Sequence, residues 1–474
     1  MLILESLPKK LIQNLDFENC FLVGGAIRDF LINPKNKIND WDFVVFDKNN
    51  LKEEIINIAN KTFSHFVELD NENGHYRIVN TEENWQADFS KPKGKDLKAD
   101  LFARDFTINS LAINLKENSL IDYYNGLEDI NKKLVRSINQ KNYNDDLLRC
   151  LRAYRIGCKL NFDILEADRI YISKLMHSNN FLDQISAERI TYELFLILSC
   201  NNSFKYLSMM KDDYMLESII PEIQALRDIP PNSHHHLALL DHTLELIKQL
   251  EENIINKYKN KSIELNLFIL KFASLLHDIS KPETWYIDET GKHTFRKHES
   301  LGAEKAKLIT KRLKFSSIQT KDVYDLILSH MSPFQLGNIN EKPSEKAMNR
   351  LIRKLDNNFL NLLALAEADL LSTRGESMTR EKFEMSQKRL EDLFIQYEIY
   401  NKKNQETKPF LRGEELKKII EEIGLGQTKL IKELLTELRD LQLLDKIKDV
   451  NEAKHWFIKE SKRRVNSSDN NSKI

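Results

Sequence analysis

Near residue 140 the chain stops reading as short strands and turns and begins to read as helices. Before that point the runs "CFLVGG", "DWDFVVFD", "HFVELD", "YRIVN" and "WQADFS" have strand content and are separated by turn chemistry such as "DNENG". Beyond it, "DDLLRCLRAYRIGCKLNF" and "AERITYELFLIL" space their apolar residues at the helical period, and helix with polar loops continues almost to the end. The expected fold class is therefore α+β, a head with a small mixed β-sheet followed by an all-helical remainder. Breaks fall at "RDIPPNSHHH" (227–236) and near "STRGESMTR" (372–380), and the polar end "NSSDNNSKI" is expected to be disordered. The expected pieces are 1–138, 139–226, 227–375 and 376–474, in keeping with roughly 150 residues per domain or fewer.

Composition excludes several classes. No apolar run reaches the ~20 residues of a membrane span, and Lys9 and Lys10 follow rather than precede the first apolar residues, the wrong order for a secretion signal. Cys20, Cys150, Cys158 and Cys200 form no CxxC pair, which argues against a zinc ribbon or a disulfide framework and fits a reducing, cytoplasmic setting. With a net charge of −1, a nucleic-acid partner must be met by local basic patches. No signal bears on oligomeric state.

The head carries the densest chemistry. Asp40 and Asp42 begin a strand-like run, so both side chains leave the same face. Two carboxylates ~6 Å apart repel by roughly 3 kcal/mol at an effective dielectric of ~20, and oxygen-only ligands favour a hard cation such as Mg²⁺. Gly24 and Gly25 allow phosphate oxygens to approach backbone N–H groups at a helix start, and Arg28 can add charge-assisted hydrogen bonds. Arg104 and Asp105 in "ARDFTINS" suit phosphate and a ribose hydroxyl, with Asn109 the next polar group. Asp88 is a candidate third carboxylate. In the following helix Asp146, Arg149, Arg152 and Arg155 recur at threes along one side.

These motifs, "GGAIRD", "DWD", "DLFARDFTINSLAIN" (100–114), "LIDYYNGLEDINKKLVR" (120–136), "DDLLRCLRAYRIGCKLNF" (145–162) and "ISAERITYELFLIL" (185–198), resemble in order those of class II tRNA nucleotidyltransferases and bacterial poly(A) polymerases. The tail segment 411–442 resembles the family's tRNA-facing end. The resemblance implies a polymerase-β-like head, a neck with a nucleotide-selecting helix, tRNA as partner, CTP and ATP as substrates, and Mg²⁺ on Asp40 and Asp42. It also implies that Asp146 and Arg149 read the base edge. A carboxylate accepts from the exocyclic amine shared by cytosine and adenine, whereas uracil and guanine offer a carbonyl there. Arg152 would meet phosphate or steady this fork. Ala103 stands where the family usually has a second arginine.

A second set follows: His242, His277 with Asp278, then His298, His330 and Asp369. A His-Asp pair ending an apolar helix needs a partner or a metal. The order resembles HD-superfamily phosphohydrolases, which implies metal ligation by His242, His277, Asp278 and Asp369, with a transition metal such as nickel or manganese. The basic, aromatic run "KHWFIKESKRR" (454–464) could follow phosphates or be a solvated helix.

The implied activity is addition of C, C and A to the 3′ end of tRNA. Poly(A) addition is one alternative. CC-only addition is another, because only "KPKGKDLKAD" separates "WQADFS" from the next motif, and C-only members resemble this trimmed form. A reading of a different class is a metal phosphohydrolase with a non-catalytic RNA-binding head.

Overall fold

The computed structural model describes all residues except 1–2, 16–17, 19, 47–49, 179, 232–235, 290–292, 338–340, 374, 376–377, 423–427 and 472–474. Parts of both expected breaks thus lie outside the described residues. The chain divides into two compact units, Met1–Pro221 and Glu222–Ile474.

The first unit is built on a seven-stranded mixed sheet. Its strands are β1 (Cys20–Val23), β2 (Asp40–Val45), β3 (His65–Asp70), β4 (His75–Asn80), β5 (Trp85–Ser90), β6 (Leu111–Asn114) and β7 (Ser119–Asp122), in the order β3-β4-β5-β2-β1-β6-β7. All pairs are antiparallel except β2 with β5. That parallel pair needs a crossover, and helix Leu51–Lys61 with the β3–β4 hairpin supplies it. The helix buries Leu51, Ile55, Ile58 and Ala59, one stripe at helical spacing. In β2 the pleat sends Trp41 and Phe43 into the core, where Phe43 stacks on Phe89 of β5 at 4.9 Å. Asp40 and Asp42 leave by the other face, level with Gln86 and Asp88.

Four helices bear on the site: α1 (Gly25–Ile32), α2 (Leu97–Phe102), α3 (Leu148–Leu160) and α4 (Ala187–Leu198). α3 buries Leu151, Ala153, Tyr154, Ile156 and Gly157, and α4 packs along it with Ile190, Leu194, Ile197 and Leu198 buried. Gly157 is the point of closest approach, since a Cβ there would lie 2.7 Å from the Tyr206 ring and 3.2 Å from the Phe162 carbonyl oxygen.

In the second unit, α5 (Leu239–Gln249), α6 (Leu267–Leu276), α7 (His298–Arg312), α8 (Ser317–Ser329) and α9 (Phe359–Ser372) surround a common core. α6 is apolar on nearly every side and is buried accordingly. Its one cation, Lys271, is fully buried and meets Glu251 at 2.6 Å. A capping box of Ser316 and Gln319 starts α8. The last elements form their own small core around Leu434, Leu438, Ala453 and Phe457. Of the polar end expected to be disordered, residues 466–471 fall in the helix Val450–Asn471 and 472–474 lie outside the described residues.

Gly157→Ala is expected to destabilise the first unit by about 1–3 kcal/mol through overpacking, read as a lower midpoint in urea unfolding.

Candidate active site

β1 ends at Val23 and the chain turns through Gly24 into α1. Gly24 has φ +81°, and a Cβ there would sit 3.2 Å from Asp42 Oδ2 and 3.3 Å from Arg104 Nη1. The residue is glycine because the backbone conformation and both side chains require it. Its own N–H is spent on the Leu111 carbonyl oxygen at 3.2 Å. The open donors at this helix start therefore begin with Gly25, and Gly24 serves by its bareness.

Arg28 is buried, which its sequence neighbours did not signal. Its guanidinium donates to Asp29 at 2.8 Å and to Asn109 Oδ1. Asn109 donates in turn to Asp105 Oδ1 at 2.9 Å, and Arg152 donates to Asp105 Oδ2 at 2.7 and 2.9 Å. Glu193 of α4 completes the chain by accepting from Arg155 and lying 3.7 Å from Arg152. Arg104, pinned by Asp100 at 3.2 Å, reaches Gly24 and Asp42 from the far side.

Two adjoining cavities, about 870 and 650 Å³, share Asp42, Arg104, Asp105 and Arg152. The first adds Gly24, Gly25, Arg28, Asp40, Asn109 and Arg155. The second adds Asp88, Asp146 and Arg149. Every head and neck residue singled out from the sequence thus lines one or both. The partners of three were not foreseen. Asp146 accepts from Arg189 at 2.7 Å. Arg149 donates to the carbonyl oxygens of Asn142 and Ala103. Asp88 is held in a fork by Arg77 at 2.6 and 2.8 Å, which leaves less of it for a metal. Arg189 and Glu193 stand four apart in "ISAERITYELFLIL", and that helical spacing was their available signal.

The carboxylates diverge electrostatically. Burial first, then the neighbouring charge of Asp40, lifts the Asp42 carboxyl to about 6. Burial would lift Asp105 likewise, but Arg152 and the Asn109 hydrogen bond outweigh it and hold that carboxyl at about 2. Asp42 is short of positive charge and Asp105 is not. Two oxygen-donor side chains on one strand, one of them strained by its neighbour's charge, fit a hard divalent cation.

The second unit holds a separate centre in which all six sequence-selected residues meet. His242 Nε2 lies 3.1 Å from Asp369 Oδ1, and His277 Nε2 lies 3.1 Å from Asp278 Oδ2. His298 and His330 face each other, Nε2 to Nε2, at 3.1 Å, with Asp278 Oδ1 3.5 and 3.9 Å away. His277, His298 and His330 each direct Nδ1 at a backbone carbonyl oxygen, 2.7–2.8 Å away. A carbonyl only accepts, so each Nδ1 carries the hydrogen; Nε2 of His298 and of His330 then presents a lone pair inward, whereas at His277, against the cost of burial, the Asp278 carboxylate facing Nε2 favours the imidazolium. Two lone pairs at 3.1 Å need a proton or a cation between them. Burial, then His277, pushes the His330 imidazole down to about 4, the neutral form that ligates. Asp278 stays ionised although buried, because His277 and Lys281 offset the desolvation. Lys281, 2.6 Å from Asp278, was not singled out in the sequence. The donor set of imidazoles and carboxylates fits a transition metal.

In the basic run 454–464, Phe457 is in the core, and Arg463 and Arg464 engage Glu460, with Arg464 also on Glu437. Those arginines already have anionic partners.

The sheet and neck thus gather paired carboxylates, a bare helix start and several arginines around adjoining cavities, and the second unit gathers histidines and aspartates in an arrangement that could hold a metal ion. Residues 20–136 match the family model for the poly A polymerase head domain, 161–226 that for the probable RNA and SrmB-binding site of polymerase A, and 234–373 that for the HD domain. A CC-adding tRNA nucleotidyltransferase of Thermus thermophilus is 27% identical over 93% of both chains. An A-adding tRNA nucleotidyltransferase of Deinococcus radiodurans is 27% identical over 75% of this chain and 77% of its own. A solved Thermotoga maritima CCA-adding enzyme complexed with tRNA superposes with a TM-score of 0.60 at 20% identity, covering 98% of each chain. The chain thus carries a poly A polymerase head domain, the adjoining RNA-binding segment and an HD domain, and is an enzyme of the nucleotidyltransferase type. Among the described residues no helix is long and apolar enough to cross a membrane.

Asp105→Asn tests the buried network. The depressed carboxyl contributes about 2 kcal/mol of stability. That contribution is complete above pH ~4, the unfolded value, and is lost as pH falls through the folded value near 2. Urea unfolding should show the variant's deficit at pH 7 closing between pH 4 and 2.

Proposed function

We propose that this chain adds cytidine and adenosine residues from CTP and ATP to the 3′ end of tRNA. The observation that carries the reading is the meeting, in adjoining cavities, of Asp40 and Asp42, the bare helix start at Gly24–Gly25, and the neck residues Asp146 and Arg149. Its relatives with CC-adding and A-adding names agree with it.

Asp40 and Asp42 would hold Mg²⁺, which when bound supplies Lewis-acid activation of the attacking 3′-hydroxyl and charge neutralisation at the α-phosphate. The N–H groups opening α1 receive phosphate oxygens, and Arg104, at the lip of Gly24, adds a guanidinium to them. Arg28 acts from beneath the cradle, since Asn109 and Asp29 already occupy it. Asp146 and Arg149 read the base. For Asp146 this means exchanging or sharing its bond to Arg189, which keeps the carboxylate oriented until a base arrives. Asp105 keeps Arg152 aimed along the cavity wall.

CC-only addition is the second reading, favoured by the short connection between β5 and α2, six residues from Lys91 to Asp96. The HD centre is proposed as a phosphohydrolase site, with His242, His277, Asp278 and Asp369 as metal ligands and nickel or manganese as the metal. The domain limits 138, 226 and 375 are proposed on the same resemblance. The cytoplasm, where tRNA is matured, is the proposed location.

The test is product length with a tRNA transcript lacking its CCA end, Mg²⁺, and CTP, ATP or both. Extension by two with CTP and by three with both is expected. Extension by two that never proceeds with ATP selects CC-only addition, and long tails with ATP alone select poly(A) synthesis. No extension overturns the transferase reading. Asp40→Ala should cost roughly 10³-fold, about 4 kcal/mol of transition-state stabilisation. His277→Ala should abolish phosphate release from a nucleoside monophosphate with Ni²⁺ or Mn²⁺. Loss of both activities in either variant counts against independent sites.

A further inference from the structure

We infer that the outer face of α2, with the lysine-rich stretch before it and the tyrosine pair after β7, docks the single-stranded 3′ end of the RNA. The inference rests on the transferase reading and specifies where its acceptor strand lies.

From the end of β5 to Lys98 the chain reads Lys91, Lys93, Lys95, Lys98, all exposed, with a single acid, Asp96. That aspartate is spent capping α2, accepting from the Ala99 N–H at 2.8 Å. In a chain of net charge −1 such a run stands out. It is also held in place. The Lys91 N–H donates to the Gly74 carbonyl oxygen at 3.3 Å and the Lys93 N–H to Asp100 at 2.8 Å. At Gly94, φ is +134° and a Cβ would meet that of Ala99 at 2.7 Å.

α2 has two working faces. Leu97, Asp100 and Leu101 point inward, and Asp100 grips Arg104 beside Gly24 and Asp42. Lys98 and Phe102, four residues apart, point outward. Next to them Tyr123 is 47% and Phe102 41% exposed. The Lys98 ammonium lies 5.8 Å from the Tyr123 ring centre, and Tyr124 sits 5.9 Å from Phe102 and 6.4 Å from Tyr123. The Tyr124 hydroxyl donates to the Lys98 carbonyl oxygen at 2.9 Å, fixing the tyrosines to the helix.

Two exposed rings, Phe102 and Tyr123, backed by the half-buried Tyr124 and set beside a row of lysines, match what a single strand needs: cations for its phosphates and flat faces for its bases. The surface also continues into the reaction site. Lys91 and Lys93 line the same cavity as Asp42, Arg104, Asp146 and Arg149. A strand whose phosphates follow the lysines and whose unpaired base rests on Tyr123 and Phe102 brings its 3′-hydroxyl toward Asp40 and Asp42. A protein partner would find little apolar area here and a strong positive charge.

The experiment uses the full chain and a fluorescein-labelled tRNA transcript lacking CCA, read by anisotropy over a salt series and by steady-state CTP incorporation. The Lys95→Glu/Lys98→Glu variant should bind RNA about tenfold more weakly, with the salt slope reduced by ~1.4, two phosphates at ~0.7 each. Tyr123→Ala should weaken binding roughly three- to tenfold with the salt slope unchanged. In both, KM for RNA rises by the same factor while KM for CTP and kcat at saturating RNA stay within about twofold. Lys95→Arg/Lys98→Arg should keep the parent's affinity, and equal weakness there would assign the lysines a structural role and overturn the proposal. RNA affinity and salt slope matching the parent in all variants overturn it as well. A parent that binds through these residues yet adds no nucleotide sinks the transferase reading alone.

Discussion

Asp105 and Arg152 form the contact on which the site depends, because it joins the sheet to the neck. Asp105 precedes a 3-10 turn leading into β6, and Arg152 lies on α3. An ionised carboxylate in that position would be costly without partners. It has the Arg152 fork on one oxygen, and Asn109 with the Phe106 N–H on the other. Asn109 is also Arg28's acceptor, so one buried network runs from beneath the glycine cradle to Glu193 on α4. Removing a member strands the next, and for that reason the distance from cradle to neck is set by polar bonds as much as by apolar packing.

The same cavities hold a carboxylate in the opposite condition. Asp42 is half-buried and faces the charge of Asp40, and the guanidinium beside it, Arg104, is shared with Asp100. One acid is saturated with partners and the other lacks them. Side chains whose environments push their ionisation apart within one cavity mark a division of labour. Asp105 organises, and Asp42 waits for a positive charge brought from outside.

How much of this was legible in the sequence depends on whether a residue's role is local. Asp40 and Asp42 needed only the period of a strand, and Gly24 only a turn into a helix, so both could be read. The histidines and aspartates of the second unit could be read through their order, although they come from five separate helix ends. What could not be read were pairings across the fold. Nothing near Arg28 announces that it is buried against Asn109, 81 residues away. Nothing near Asp146 announces Arg189, and nothing near Asp88 decides between a metal and Arg77. β6 and β7 were not singled out as strands; each is four residues long, as β1 is, and they exist by pairing with β1 and with each other. The spent N–H of Gly24 is of this kind too, since its acceptor, Leu111, belongs to β6.

The two units meet a similar electrostatic problem by different means. In the first, repelling carboxylates sit on one strand and line open cavities that a cation could enter and leave. In the second, imidazoles are fixed by backbone carbonyl oxygens at their far nitrogens, and Asp278 is buried between His277, His298 and Lys281. The imidazoles of His277, His298 and His330 are oriented before any ion binds, an arrangement that would favour retaining one. Lys281 adds a constraint. With its ammonium 2.6 Å from one Asp278 oxygen, only the other oxygen is free to face His298 and His330. An ion in the His298–His330 gap therefore competes with Lys281 for the charge of a single carboxylate, and the affinity of that gap is set by how far the lysine can withdraw.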